Sequence, residues 1–482
     1  MNVLVLSALC LTLAQSPPND AVVPVPQQGQ WWMNRHQAMN ARAAQGGVDL
    51  VFIGDSITHA FGGDPYTGEN FANRGKDTWD LFYGDRRATN LGISGDRTQH
   101  VLWRLEHGNL DGIRPRAAVV MIGTNNVGAN DAGQIAEGVE AVCQAVRRKS
   151  PRTRVLLLGI FPRGLAGSPE RAKIAETNSL LDAWAKTHRI DYLDIGDVFL
   201  DAHGEIPDEV MPDKLHPTAL GYRKWAMAME PRLARLLGER PKTTADPRNS
   251  AVVPVTQQRD DYNWLDRHRA VLELVRKRTP RLAFIGDSIT HAWAGPPASP
   301  NRMAGAKVWE RMYSGRNAIN LGFGWDRTEN VIWRIEQGEL AGADLRAAVV
   351  MIGTNNLGLN TPEQIRDGIG EVVARIHRKA PRAKVLLLGI FPRGQKPDDP
   401  YRRMAAEVNR LLPALARRVG ATYMDIGARF LEPDGTISRE MMPDFLHLTE
   451  KGYAIWADAI EPVLRQWLDA DEARAISYEL RA

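Results

Sequence analysis

The sequence predicts two α/β domains in tandem, each a doubly wound parallel sheet with helices on both faces. Three observations carry this reading. The chain repeats itself: AVVPVPQQ at 21–28 returns as AVVPVTQQ at 251–258, and AAVVMIGTNN at 117–126 returns unchanged at 347–356. VLLLGIFPRG at 155–164 also returns unchanged at 385–394. An offset of about 230 residues is too long for a solenoid repeat and fits duplicated whole domains. Within each copy, short apolar runs alternate with amphipathic stretches, the pattern of buried parallel strands and their covering helices. Turn-forming and chemically active residues gather directly after those runs, where ligands bind in open α/β sheets.

Each element can be justified in chain order. Val3–Ala14 is a short apolar run, Thr12-Leu13-Ala14 resembles a small-x-small cleavage site, and breaker-rich QSPPND follows. Residues 1–14 therefore read as a signal peptide, which places the mature protein outside the cytoplasm, periplasmic or secreted. The first domain spans 21–238, the polar, proline-containing stretch 239–250 is a linker, the second domain spans 251–470, and 471–482 is a C-terminal tail. In the first domain Asp49–Ile53, Ala88–Leu91, Ala117–Ile122, Arg154–Ile160 and Asp191–Ile195 are the expected strands. The helical patterns AGQIAEGVEAVCQAVRRK (132–149) and RAKIAETNSLLDAWAKTH (171–188) lie between the later ones.

Composition excludes several function classes. The 482 residues are 44% hydrophobic and 24% charged, which is globular and not disordered. No apolar run approaches the roughly 18 residues needed for a membrane span. A net charge of +4 from interspersed acids and bases does not make a nucleic-acid surface. Cys10 leaves with the signal peptide, so Cys143 has no disulfide partner. It lies on an apolar helical stripe and matches Val373, which reads as a small buried hydrophobe.

Chemistry concentrates after the strands. GDSITHAF follows the first strand and carries Ser56; GDSITHAW in the second copy carries Ser288. NLGISGDRT after the second strand carries Gly95, and GTNN after the third carries Asn125, with Asn355 as its copy. A backbone N–H and a side-chain amide are suited to stabilising an oxyanion. MPDKLHPT contains Asp213 and His216, and MPDFLHLT contains Asp444 and His447. A serine hydroxyl needs a base, histidine is the natural one, and a carboxylate on its far nitrogen fixes the tautomer. The remaining His and Cys supply no recognisable metal-ligand spacing.

In this order, the four blocks resemble those of the SGNH (GDSL-type) hydrolases, over roughly 22–237 and 252–470. NLGISGDRTQHVLWRLEHGNLDGIRP, GTNN, LLLGIFPRG and the Asp-x-x-His ending are similar to the catalytic subunits of intracellular platelet-activating-factor acetylhydrolases. The resemblance implies a flavodoxin-like sheet of five parallel strands in each domain, and a serine esterase without metal or cofactor. It implies Ser56 as nucleophile, His216 as base, Asp213 as its orienting carboxylate, and Gly95 and Asn125 as oxyanion donors. Ser288, Asn355, Asp444 and His447 follow in the second domain. Asp55 would support the nucleophile turn.

One position departs from the pattern. NLGFGWDRT places Trp325 opposite Gly95 and Gly324 opposite Ser94. If that amide requires positive φ, Trp325 is strained there, and its indole would crowd or wall the acyl pocket. His59 and His291 read as packing or surface residues. Trp79, Trp103 and Trp225, with their copies Trp309, Trp333 and Trp456, read as core anchors. The Trp31-Trp32 pair has only Trp264 as counterpart and no assigned role. The loops GGDPYTGEN and AGPPASPN are expected to set leaving-group preference.

The functional reading is a serine esterase removing short acyl groups, acetyl foremost, from small-molecule or glycan esters, with no nucleic-acid partner. Two alternatives stay open: an acyltransferase, or a carbohydrate-binding scaffold with a degenerate second esterase domain. The related subunits form dimers, so pairing of the two domains within one chain is a further expectation.

Overall fold

The computed structural model describes residues 18–68, 73–257 and 262–479; the expected signal peptide lies outside them. The chain divides into two compact units after Thr244. In the first, the strands are β1 (Leu50–Gly54), β2 (Ala88–Gly92), β3 (Ala117–Met121), β4 (Arg154–Leu158) and β5 (Asp191–Leu193). All pair in parallel in the order β2-β1-β3-β4-β5. This is the expected flavodoxin-like arrangement, with its switch point between β1 and β3.

The helices are α1 (Gln30–Ala44), α2 (Ser56–His59), α3 (Lys76–Tyr83), α4 (Thr98–Glu106), α5 (Ala132–Lys149), α6 (Pro169–His188) and α7 (Ala219–Leu237). The second unit repeats them as α8 (Trp264–Arg278), α9 (Ser288–His291), α10 (Ala306–Met312), α11 (Thr328–Glu336), α12 (Pro362–Lys379), α13 (Pro400–Val419) and α14 (Glu450–Glu479). Its strands are β6 (Leu282–Gly286), β7 (Ala318–Gly322), β8 (Ala347–Met351), β9 (Lys384–Leu388) and β10 (Thr422–Met424), again all parallel and in the equivalent order. Among the described residues no helix is long and apolar enough to cross a membrane.

Local chemistry sets the boundaries. Asp131 caps α5 and Gln134 returns the bond, while Arg147, Arg148 and Lys149 close its carbonyl end. α6 begins two residues earlier than its apolar pattern, because Ser168 caps it and Pro169 suits the first turn. β4 and β5 stop two residues short of expectation. Gly159 N–H donates to Leu193 O at 3.1 Å. Beyond that rung the Asn178 amide takes both the N–H and the carbonyl of Ile160, at 2.8 and 3.0 Å, in place of a strand partner.

Alternate residues of β1 serve two cores. Val51 and Ile53 pack with Trp32, Leu102, Val139 and Leu181. Phe52 faces the other side, into an aromatic cluster with Trp79 at 4.9 Å and Tyr83 at 4.7 Å. Trp79, Trp225, Trp309 and Trp456 are buried anchors, as expected. Trp103 and Trp333 are only half-buried, and Trp103 instead stacks on His107 at 3.9 Å. Cys143 is fully buried, and burial pushes its thiol up to about 12.

Arg86, three residues past the end of α3, donates two bonds to Glu230 on α7, at 2.7 and 2.8 Å, with both side chains sealed from solvent. Lys242 N–H adds a third bond to Glu230, tying down the chain after α7. Glu230→Ala removes two of the carboxylate bonds to buried Arg86 and leaves it the partly exposed Glu239, at 2.9 Å from Nε. It is expected to cost about 3 kcal/mol, measured by urea denaturation; a loss below about 1 kcal/mol, the scale of an exposed pair, would contradict the pairing.

Candidate active site

The site assembles at the switch point from the ends of three strands and one loop. β1 ends at Gly54, where a Cβ would collide with the Thr58 side chain and the Met121 carbonyl. Asp55 then caps α2 by accepting from Ile57 N–H at 2.9 Å, and Ser56 opens that helix. Tyr222 on α7 donates to Ile57 O at 2.7 Å, fixing α7 to the serine turn. α7 is preceded by the segment holding Asp213 and His216.

Ser56 Oγ lies 2.8 Å from His216 Nε2, and His216 Nδ1 lies 2.6 Å from Asp213 Oδ2. Asp213 Oδ1 accepts from the backbone N–H groups of Leu215 and His216, at 3.1 and 2.7 Å. Partial burial opposes the charge of Asp213, but those bonds and the His216 ring hold its carboxyl below the usual range. An ionised carboxylate only accepts, so Nδ1 carries the proton and Nε2 is left to accept from the serine hydroxyl. Lys214, inside this turn, has φ +56, a conformation the sequence did not announce.

Gly95 has φ +78 and Asn125 donates through Nδ2 to Asp96 O at 2.9 Å. That bond uses one amide hydrogen of Asn125 and orients the other. Ser56, Gly95, Asn125, Asp213 and His216 line one cavity of about 520 Å³ together with Arg74 and Ser94. All five first-domain residues singled out in the sequence thus meet at one place.

The second unit reproduces the geometry. His447 Nε2 is 2.8 Å from Ser288 Oγ, and its Nδ1 is 2.6 Å from Asp444 Oδ2. Asn355 donates to Asp326 O at 3.0 Å. Trp325 has φ +62, so the position does require the left-handed conformation. Trp325 is 54% exposed, so it is not packed into the interior. Ser288 is only 7% exposed, whereas Ser56 is half-buried.

Sequence reasoning missed the support behind the oxyanion loop. Asp96 is fully buried and accepts from Trp32 Nε1 at 2.7 Å, Arg104 Nε at 2.8 Å and Gln27 Nε2 at 3.2 Å. Asp326 is held in the same way by Trp264 at 2.7 Å and Arg334 at 2.8 Å. This gives Trp32 its role; the available signal was its match to Trp264 together with the repeated Gly/Trp-Asp-Arg-Thr. His59 and His291 are buried, which settles them as packing residues. His59 Nδ1 is 3.2 Å from Ser94 Oγ, and His291 Nδ1 accepts from Gly324 N–H at 3.2 Å. Burial, aided by nearby arginines, pushes both imidazoles down to about 2 and keeps them neutral.

Asp55 and Asp287 are also buried, and among the described residues the Oδ2 atom of each has no hydrogen-bond partner. Burial pushes both carboxyls up to about 7.

The model of the GDSL-like Lipase/Acylhydrolase family matches residues 52–224 and again 284–455. Human platelet-activating factor acetylhydrolase IB subunit alpha1 is 34% identical over 226 residues, covering 47% of this chain and 93% of the relative. The alpha2 subunit of Gallus gallus is 35% identical over 232 residues, covering 47% and 96%. Among solved structures, a GDSL-like lipase from Bacteroides thetaiotaomicron aligns with a TM-score of 0.34 at 18% identity, over 42% of this chain and 97% of that one. An acetylxylan esterase from Geobacillus stearothermophilus aligns with a TM-score of 0.33 at 19% identity, over 40% and 96%.

Two measurements follow from this geometry. A bulky side chain held at positive φ costs roughly 1–2 kcal/mol, so Trp325→Gly is expected to stabilise the chain by about 1 kcal/mol in urea denaturation; destabilisation would show that indole contacts outweigh the strain. The raised carboxyls of Asp55 and Asp287 favour the folded state when protonated. Their contribution is complete below about pH 4 and is lost as pH rises through about 7. The Asp55→Asn/Asp287→Asn variant should therefore lose less stability than the parent over that window, and parallel curves would refute the assignment.

Proposed function

Because the chain belongs to the GDSL-like lipase/acylhydrolase family, and is a carboxylic ester hydrolase, we propose that each unit removes short acyl groups through a serine-bound acyl-enzyme. The observation that carries the reading is the chain of contacts from Ser56 through His216 to Asp213, at 2.8 and 2.6 Å, opening on the cavity that Gly95 and Asn125 share. Ser56 Oγ attacks the ester carbonyl carbon as its proton passes to His216 Nε2. Asp213 stabilises the imidazolium. The oxyanion rests between the backbone N–H groups of Ser56 and Gly95 and the amide of Asn125. The ester C–O bond breaks, and His216 returns the proton to the departing alcohol. Water, deprotonated by the same histidine, then attacks the acyl-enzyme, releasing the acid and restoring Ser56. Ser288, His447, Asp444 and Asn355 take the same parts in the second unit, where the N–H of Trp325 replaces that of Gly95.

Acetyl is the acyl group favoured, since the relatives at 34–35% identity carry the name acetylhydrolase. Export, expected from the apolar run at residues 3–14, puts O-acetylated carbohydrate ahead of phospholipid as the substrate class.

The test is hydrolysis of p-nitrophenyl esters from acetate to octanoate. The parent should cleave acetate best, and the Ser56→Ala/Ser288→Ala variant should lose at least about 10³-fold. In a Ser288→Ala background, Asn125→Ala should lower kcat by about 10²–10³. Turnover that survives in the double serine variant would remove both nucleophile assignments.

A further inference from the structure

The loop after β4 gives no group to the proposed ester cleavage, yet its sequence FPRG at 161–164 returns unchanged at 391–394. It carries Arg163, which is half-buried and, among the described residues, does not line the cavity shared by Ser56, Asn125 and His216. Arg163 Nη1 instead donates to Thr124 O at 2.9 Å and to Thr124 Oγ1 at 3.2 Å. Thr124 is buried and directly precedes Asn125. Val127 N–H also reaches that carbonyl, at 3.4 Å. A bond from a charged donor is shorter and stronger than one from a neutral amide, so the guanidinium is the firmer hold on Thr124.

Arg163 is itself held in place. Arg171 on α6 donates from Nε to Arg163 O at 3.3 Å, and its other nitrogens reach Gly164 O and Gly204 O. Gly164, with φ +67, then donates its N–H at 2.9 Å to the carbonyl of Lys214, the left-handed residue between Asp213 and His216. One loop therefore grips the backbone beside the oxyanion amide and the backbone beside the histidine. The second unit repeats the arrangement. Arg393 Nη1 donates to Thr354 O at 3.2 Å and to its Oγ1 at 3.3 Å, and Gly394 N–H donates to Phe445 O at 2.9 Å. Arg402 on α13 holds Arg393 O at 3.2 Å and also reaches Gly394 O.

We infer that Arg163 is a positioning residue for the oxyanion, holding the Thr124 carbonyl and through it the Asn125 amide, and that Arg393 does the same for Asn355. One hydrogen of the Asn125 amide is spent on Asp96 O, which leaves the other for the oxyanion. Where that hydrogen points depends on the peptide before it, and Arg163 fixes that peptide. A donor misplaced by about 1 Å costs up to about 10²-fold in rate. This rests on the esterase reading above and adds to it a residue that touches neither substrate nor the reacting atoms.

The test is a double-mutant cycle in the Ser288→Ala chain, which leaves only the first site, with p-nitrophenyl acetate as the probe. Arg163→Met removes the donors and keeps most of the side-chain volume. It should lower kcat about ten-fold and leave KM within about two-fold, and Arg163→Lys should restore part of the loss. Once Asn125→Ala has removed the amide, the same Arg163→Met change should cost less than about two-fold. Arg393→Met and Asn355→Ala should behave alike in the Ser56→Ala chain. A kcat that Arg163→Met leaves unaltered, or equal losses with and without Asn125, overturns the inference while the esterase stands; a general weakening of the fold would give the second pattern. Should Arg163→Met fail to fold by circular dichroism, the shorter and uncharged Arg163→Gln carries the same cycle, and the same outcomes decide. If neither Ser56→Ala nor Asn125→Ala lowers turnover in the Ser288→Ala chain, the esterase reading falls, and the positioning role with it.

Discussion

Asp96 is sealed from water, so Trp32, Arg104 and Gln27 must solvate its carboxylate, and that requirement positions much of the first unit. Trp32 belongs to α1 and Arg104 to α4, so the two helices and the loop after β2 are locked together at one buried charge. The backbone carbonyl of the same residue accepts from Asn125 and so sets the amide that faces the cavity. Removing one partner from such a pair typically costs about 3–5 kcal/mol, far more than the pair adds over an apolar replacement. The arrangement is thus better understood as fixing geometry than as supplying stability. In the second unit one member of a neighbouring pair changes. Asn109, 3.2 Å from His36 Nδ1 in the first unit, becomes Glu339, whose carboxylate lies 2.9 Å from His268 Nδ1.

From that anchor the site follows by topology. Parallel strands feed their loops to one edge, and the reversal of strand order between β1 and β3 opens a crevice there. Ser56, Gly95 and Asn125 come from the loops after β1, β2 and β3, so their spacing is inherited from the sheet. The histidine is brought in by α7, whose Tyr222 grips the serine turn. Tyr453 repeats the contact with Ile289 O at 2.6 Å.

The two copies retain this frame. Ser–His and His–Asp distances are the same in both units. On the oxyanion loop Trp325 stands in the second unit where the first has Gly95, while the groups that cleave the ester keep their geometry. Strain at Trp325 is tolerated because its surroundings over-determine the loop: Gln257 holds Gly324 O at 2.9 Å and Asp326 is clamped by Trp264 and Arg334.

By itself the sequence determined the duplication, the parallel α/β class and the residues that meet at the site. Those are signals of periodicity, of repetition and of residues placed directly after strands, and all are local. It also flagged Trp325, because a glycine that needs positive φ is visible as a glycine. It could not announce that Trp32 serves Asp96, since 64 residues separate them. Nor could it show that His59 is sealed inside, that one oxygen of Asp55 is buried with no partner among the described residues, or that Asn178 ends β4 by standing in for a strand. Each of these depends on which side chains from distant segments come to share a space closed to water. Burial decides whether such a group is charged, paired or silent, and only the folded chain sets burial.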